Sequence, residues 1–247
     1  VETHHRSEWS PALGRSMEFI THGHAGLPAV VFPCMGGRPW DYADFGMIDV
    51  LRPWLDAGRL RLFCVDSIDN ETFNSDGWDK RARAALQDRY HHYIADDLVP
   101  RIHDETGWGD RLLTTGNSLG GLHAAISLFR RPDLFGTMIA LSGVYDAGHF
   151  FGDYSDEFVY NNSPADFVAG MPDDHPWLDA YRSCLIISGI GQGAWEEELL
   201  PSNHRMDDVL RAKGVPAWFD FWGTDMPHDW PTWHQMAPYF MGRVLPW

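Results

Sequence analysis

Gly116-Asn117-Ser118-Leu119-Gly120 sets a serine between two glycines, with the apolar run "RLLTTG" (Arg111–Gly116) before it and the helical pattern "LHAAISLFRR" after it. A strand that turns sharply into a helix needs small residues on either side of the turning position, and the turn lifts that residue's side chain out of the sheet. In this setting Gly-x-Ser-x-Gly exposes a serine Oγ as a nucleophile and aims the next amide, that of Leu119, at a developing oxyanion. The bland alternative is a glycine-rich turn that happens to hold a serine. The strand pattern before it and the helix pattern after it favour the first reading.

A serine hydroxyl is a weak nucleophile until a base takes its proton. In strand-turn-helix sites of this type the chain order is serine, acid, histidine, with the histidine after the last strand. His228 in "MPHDWPTW" stands there, just past the apolar run "AWFDFW". His123 falls in the helix after the serine and reads as packing or solvated. His234 lies inside a C-terminal helix pattern, and His4, His5, His22 and His24 precede the central runs. His22-Gly23-His24 has no carboxylate or cysteine at ligand spacing, so no metal site is expected. The acid should follow the run "SCLIISG", where Glu196, Glu197 and Glu198 compete. Two of these three read as solvated carboxylates at a helix start. Asp146 in "LSGVYDAG" is a rival from the preceding strand. A second oxyanion amide is expected from "CMGGRPW", where Gly36 and Gly37 permit close backbone approach.

The elements that must carry these groups are legible as alternation. Seven short apolar runs recur along the 247 residues: Ser16–Ile20, Ala29–Pro33, Leu60–Asp66, Arg111–Gly116, Gly136–Gly143, Ser183–Gly189 and Ala217–Trp222. Near-continuous apolar strands suit a sheet covered on both faces. Helical patterns stand between them, notably Ala85–Gly107, a segment opened by a capping Asn203 and closed at Gly214, and a C-terminal helix entered at Pro231. This is an α/β fold with a predominantly parallel sheet, whose site lies beyond the carboxyl ends of the strands. No repeat or linker divides the chain, so a single domain over 1–247 is expected. The stretch 149–177 is long for a connection and aromatic, and reads as a cap or lid over Ser118. In that reading Phe150, Phe151, Tyr154 and Tyr160 form an apolar acyl site.

Composition narrows the partners. With 19 basic and 35 acidic side chains the net charge is −16, which argues against nucleic acid and anionic lipid surfaces. Cys34, Cys64 and Cys184 sit in or beside apolar runs and read as buried free thiols. No segment reaches the length of a membrane span, and "VETHHRSEWS" has no signal-peptide pattern. A cytoplasmic protein is therefore expected, with a leader removed before Val1 and a homo-oligomer both left open.

Together these residues resemble the esterase-D-type branch of the α/β hydrolases, which includes S-formylglutathione hydrolases, enterochelin esterases and mycolyltransferases. The resemblance runs from about Ala29 to Pro246. "HDWPTWHQM" (His228–Met236) is similar to the H-x-W-x-x-W segment of the mycolyltransferases, and "FRRPDLFGTMIALSGVYD" (Phe129–Asp146) to the run from elbow helix into the next strand. It implies an acid seven residues before the asparagine that starts the next helix, which selects Glu196 from Asn203. It also implies Gly37 as the first oxyanion amide, with glycine where leucine is usual. The loop of glutathione-selective members is not evident in "GGRPWDYADF". The implied activity is hydrolysis of a small or medium acyl ester through a serine acyl-enzyme, with no cofactor. An acyltransferase with the same triad, or a non-catalytic binding protein on the same fold, are the alternatives.

Overall fold

Each of the seven apolar runs lies in a strand of one eight-stranded sheet; the structure, a computed structural model, describes residues 1–247. In chain order the elements are β1 (Thr3–Ser10), β2 (Arg15–His22), β3 (Leu27–Phe32), α1 (Asp41–Asp44), α2 (Met47–Asp56), β4 (Leu60–Val65), α3 (Lys80–His92) and α4 (Val99–Thr106). There follow β5 (Leu112–Asn117), α5 (Leu119–Arg130), β6 (Phe135–Leu141), the short helices α6 (Gly148–Phe151), α7 (Glu157–Asn161), α8 (Pro164–Gly170) and α9 (Pro176–Arg182), then β7 (Leu185–Ile190), α10 (Leu200–Ala212), β8 (Trp218–Phe221) and α11 (Trp230–Val244). The strand order is β1-β2-β4-β3-β5-β6-β7-β8. β1 and β2 run antiparallel to their neighbours, and every pairing from β4 through β8 is parallel.

Period-two alternation sorts the strand side chains into two cores. Val30, Phe32, Phe63, Val65, Met138 and Ala140 meet α3, α4, α5, α8, α9 and α10 on one face. Ala29, Val31, Leu62, Cys64, Ile139 and Leu141 meet α2 and α11 on the other. Both faces are covered, which explains why the strands lack polar alternation. The structure is a mostly parallel α/β sheet with an antiparallel hairpin on one edge.

That hairpin is the first departure from the expected order. β1, "THHRSEWS", has no apolar run; it alternates exposed and half-buried residues because it is an edge strand, anchored by full-length pairing to β2. The helix expected over 85–107 begins earlier, at Lys80, where Asp79 accepts from Ala82 N–H. It runs through a wide π-helical turn at Tyr93–Leu98 into α4. Pro100, with no N–H to give, sits just beyond that turn. α10 begins at Leu200, so Asn203 is not its cap but a buried residue of its first turn. Finally, 149–177 is not irregular. It folds into successive short helices, with Asp156 capping α7 and Pro164 and Pro176 in the first turns of α8 and α9. Helices of four to seven residues are too short to display a period.

Candidate active site

The glycines around Ser118 are required by contact. A Cβ on Gly116 would lie 2.5 Å from the backbone of Gly120, and one on Gly120 would lie 2.4 Å from the carbonyl oxygen of Phe32. β3, β5 and α5 can approach this closely only without those side chains. Ser118 itself turns the corner at φ 56, ψ −124, a conformation L-residues avoid. Its N–H donates to Leu141 O at 2.8 Å, which ties the turn to β6.

Ser118 Oγ stands 2.9 Å from His228 Nε2, and His228 Nδ1 stands 2.9 Å from Glu196 Oε2. The three side chains come from the loops after β5, β7 and β8, at the carboxyl edge of the sheet. Glu196 is fully buried and His228 is partly open to solvent. Ser142 Oγ donates to Glu196 Oε1 at 2.5 Å, Gly191 N–H donates to the same oxygen at 3.3 Å, and Trp233 Nε1 donates to Ser142 Oγ at 3.0 Å. A buried carboxylate needs such donors. Asp146 makes no bond to His228; it accepts from Ser202 Oγ at 2.8 Å. Glu197 and Glu198 are exposed, and Glu198 borders the cavity at Ser118.

The loop after β3 departs from expectation. Gly37 N–H is spent within its own turn, donating to Cys34 O at 2.8 Å, and a Cβ there would strike Asp41 Oδ2. Gly37 serves the tightness of the turn and has no N–H left for a substrate oxygen. Met35, two residues earlier, borders the cavity with Ser118 and Leu119. Burial first, and Asp41 second, push the neighbouring Cys34 thiol up to about 12, so it stays neutral.

The cavity at Ser118 encloses about 150 Å³, walled by Met35, Leu119, Val144, Phe150, Trp195 and Leu199. Of the four aromatic residues expected to line it, only Phe150 does. Phe151 is buried in a small core with Phe73, Leu122 and Val159. Tyr154 packs at the edge of that core and donates its hydroxyl to Asp156 at 2.8 Å. Tyr160 borders a separate hollow with Phe167, Met171 and Trp177. The helical folding of 148–182 turns these rings to different sides.

Ser142 carried no mark in the sequence reading, whereas Trp233 entered it only within the H-x-W-x-x-W segment and Asn203 only as a helix cap and spacing marker. Ser142 and Trp233 hold Glu196. Asn203 donates to Gly143 O at 2.7 Å and Leu199 O at 3.0 Å and accepts from Ser188 Oγ at 3.1 Å, which joins the ends of β6, β7 and α10. The signal for Ser142 was its place directly after β6. The three non-glycine residues with positive φ are Ser118 (56°), Ser142 (49°) and Trp195 (71°), all at this site. Backbone strain gathers where surrounding structure holds it for a purpose.

A family model described as "Putative esterase" matches residues 10–240. No curated protein sequence is a significant match. Among solved structures, a ferulic acid esterase superposes with a TM-score of 0.76 at 18% identity, covering 99% of each chain. An S-formylglutathione hydrolase from Agrobacterium tumefaciens gives 0.74 at 14% identity, covering 98% of this chain and 93% of the other. Mycobacterium tuberculosis MPT51 gives 0.73 at 12%, covering 99% and 98%. At these identities the structural likeness is one of fold, while the family match spans nearly the whole sequence. The chain therefore belongs to the esterase family of the α/β hydrolases and is a carboxylic ester hydrolase.

Proposed function

We propose that the protein hydrolyses small or medium acyl esters through a covalent acyl-serine. The observation that carries this reading is the placement of His228 between Ser118 Oγ and Glu196, 2.9 Å from each. Ser118 Oγ attacks the ester carbonyl carbon as His228 Nε2 takes its proton. Glu196 holds the Nδ1–H side of the ring and offsets the positive charge of the imidazolium. The tetrahedral oxygen accepts from the amides of Leu119 and Met35, the latter in place of Gly37. Donors of this kind are worth about 3 kcal/mol each to the transition state. The tetrahedral intermediate collapses, the C–O bond to the alcohol breaks, and His228 returns the proton to the departing oxygen. Water repeats the sequence on the acyl-serine, releasing the acid and restoring Ser118.

A fluorophosphonate should label one residue, Ser118, identified by peptide mass. Ser118→Ala should fold like the parent and lose turnover of a p-nitrophenyl ester by on the order of 10⁴-fold or more. Retention of even about a tenth of the parent rate overturns the assignment.

A further inference from the structure

Trp195 combines three properties that its packing does not account for. Its backbone sits at φ 71, its side chain is 80% exposed, and it borders the cavity that holds Ser118 and His228. A bulky residue in the left-handed region is held there against its own preference. A tryptophan so held usually buys its place by filling core, but this indole stacks on no other ring of the protein. Its neighbours fix the backbone and leave the ring free: Glu196 N–H donates to Gly193 O at 3.2 Å, and His228 N–H donates to Ala194 O at 2.9 Å. The loop is thus tied to the histidine through its backbone, and Trp195 and His228 line the same cavity. On its outer side Ala194, Trp195, Glu197 and Glu198 border an open hollow of about 500 Å³, which shares Trp195 and Glu198 with the walls of the Ser118 cavity.

The side of the site matters. His228 must hand its proton to the leaving oxygen, so the departing alcohol lies against the histidine and the acyl chain lies away from it. A ring beside His228 meets the alcohol. We propose that Trp195 is the platform for the leaving group, and that the favoured esters are those of alcohols carrying a ring whose flat face stacks on the indole. Both aryl rings and the apolar faces of sugar rings have this chemistry. The inference rests on the acyl-serine reading above and deepens it.

The test compares acetates of primary alcohols, whose leaving-group chemistry is matched: ethyl, benzyl, cyclohexylmethyl, and glucose acetylated on its primary hydroxyl. The parent should favour ring-bearing esters over ethyl acetate in kcat/KM. Trp195→Gly should lower kcat/KM for ring-bearing esters about tenfold more than for ethyl acetate, and leave the melting temperature level or higher, since glycine accepts the positive φ. Trp195→Phe should retain most of the ring preference. Loss confined to benzyl acetate identifies an aryl alcohol as the partner, and loss extending to the glucose ester identifies a carbohydrate. An equal fall for ethyl and ring esters, or a lowered melting temperature in Trp195→Gly, overturns the proposal by making the indole a support of the fold. Full activity of Ser118→Ala on ethyl acetate would instead defeat the acyl-serine reading, separately from the platform.

Discussion

Glu196 shows how much one side chain depends on others that never touch substrate. Its two oxygens are held by Ser142, Gly191 and His228, and Ser142 is held in turn by Trp233. Glu196→Gln preserves the shape but removes the charge that offsets the imidazolium, so turnover at neutral pH should fall by about 10³-fold or more. Asp146→Asn, whose partner is Ser202, should change turnover only a few-fold; steady-state rates of the two variants side by side check this. Asp146→Asn as the crippled variant of the pair would move the acid to the strand before. Ser142→Ala leaves Trp233 Nε1 and Glu196 Oε1 short of a partner in a buried place, a loss of about 1–3 kcal/mol in stability. It should also lower kcat more than KM rises, because the carboxylate's aim suffers and substrate contacts do not. The meeting of Ser118 and His228 was legible because a fixed chain order sets both just past strand ends. Ser142 was not, because a serine after a strand looks like any turn residue until its partner appears, 54 positions on.

At the scale of elements, the connection between β6 and β7 is where sequence and structure differ most. Aromatic content there suggested one apolar wall, yet neighbouring rings face different ways because each short helix turns them by its own twist. Phe150→Ala should therefore act on substrates, weakening long acyl esters more than acetates by about 1–3 kcal/mol. Phe151→Ala should act on the fold, costing about 3–5 kcal/mol for the cavity left in the core of Phe73 and Val159. A chain-length series with urea melts of both variants separates the two effects; matched chain-length profiles would return both rings to structural duty. The six inner strands were legible because burial on both faces demands apolar runs, and β8, at the other edge, kept an aromatic run of its own. β1 was not, since an edge strand half in water needs hydrogen bonds to β2 more than it needs apolar side chains. The true start of α10 was obscured by Asn203, a good capping residue whose amide is used inside the fold instead.

For the whole molecule, acid should act on stability through two buried histidines, His22 and His91. Burial lowers the His22 pKa to about 4 from the usual 6.5, and drives that of His91 well below it. A pKa depressed on folding means that the unfolded chain binds the proton first as pH falls. Stability is then intact above about 6.5 and drains away between there and about 4. Urea midpoints should decline across that window, and His22→Gln should flatten the decline; an unchanged slope would place the acid sensitivity elsewhere. The span of the site has a consequence for the life of the chain. Ser118 and His228 lie 110 residues apart, and α11, which follows the histidine, covers one face of the sheet together with α2. Contacts of such long range form late, after loop closure has been met. On refolding, tryptophan fluorescence should recover ahead of esterase turnover; recovery in a single shared phase would mean that β8 and α11 dock together with the rest. On the ribosome, the same arrangement keeps the pair apart: Ser118 and His228 cannot meet until the last strand and the loop after it have emerged.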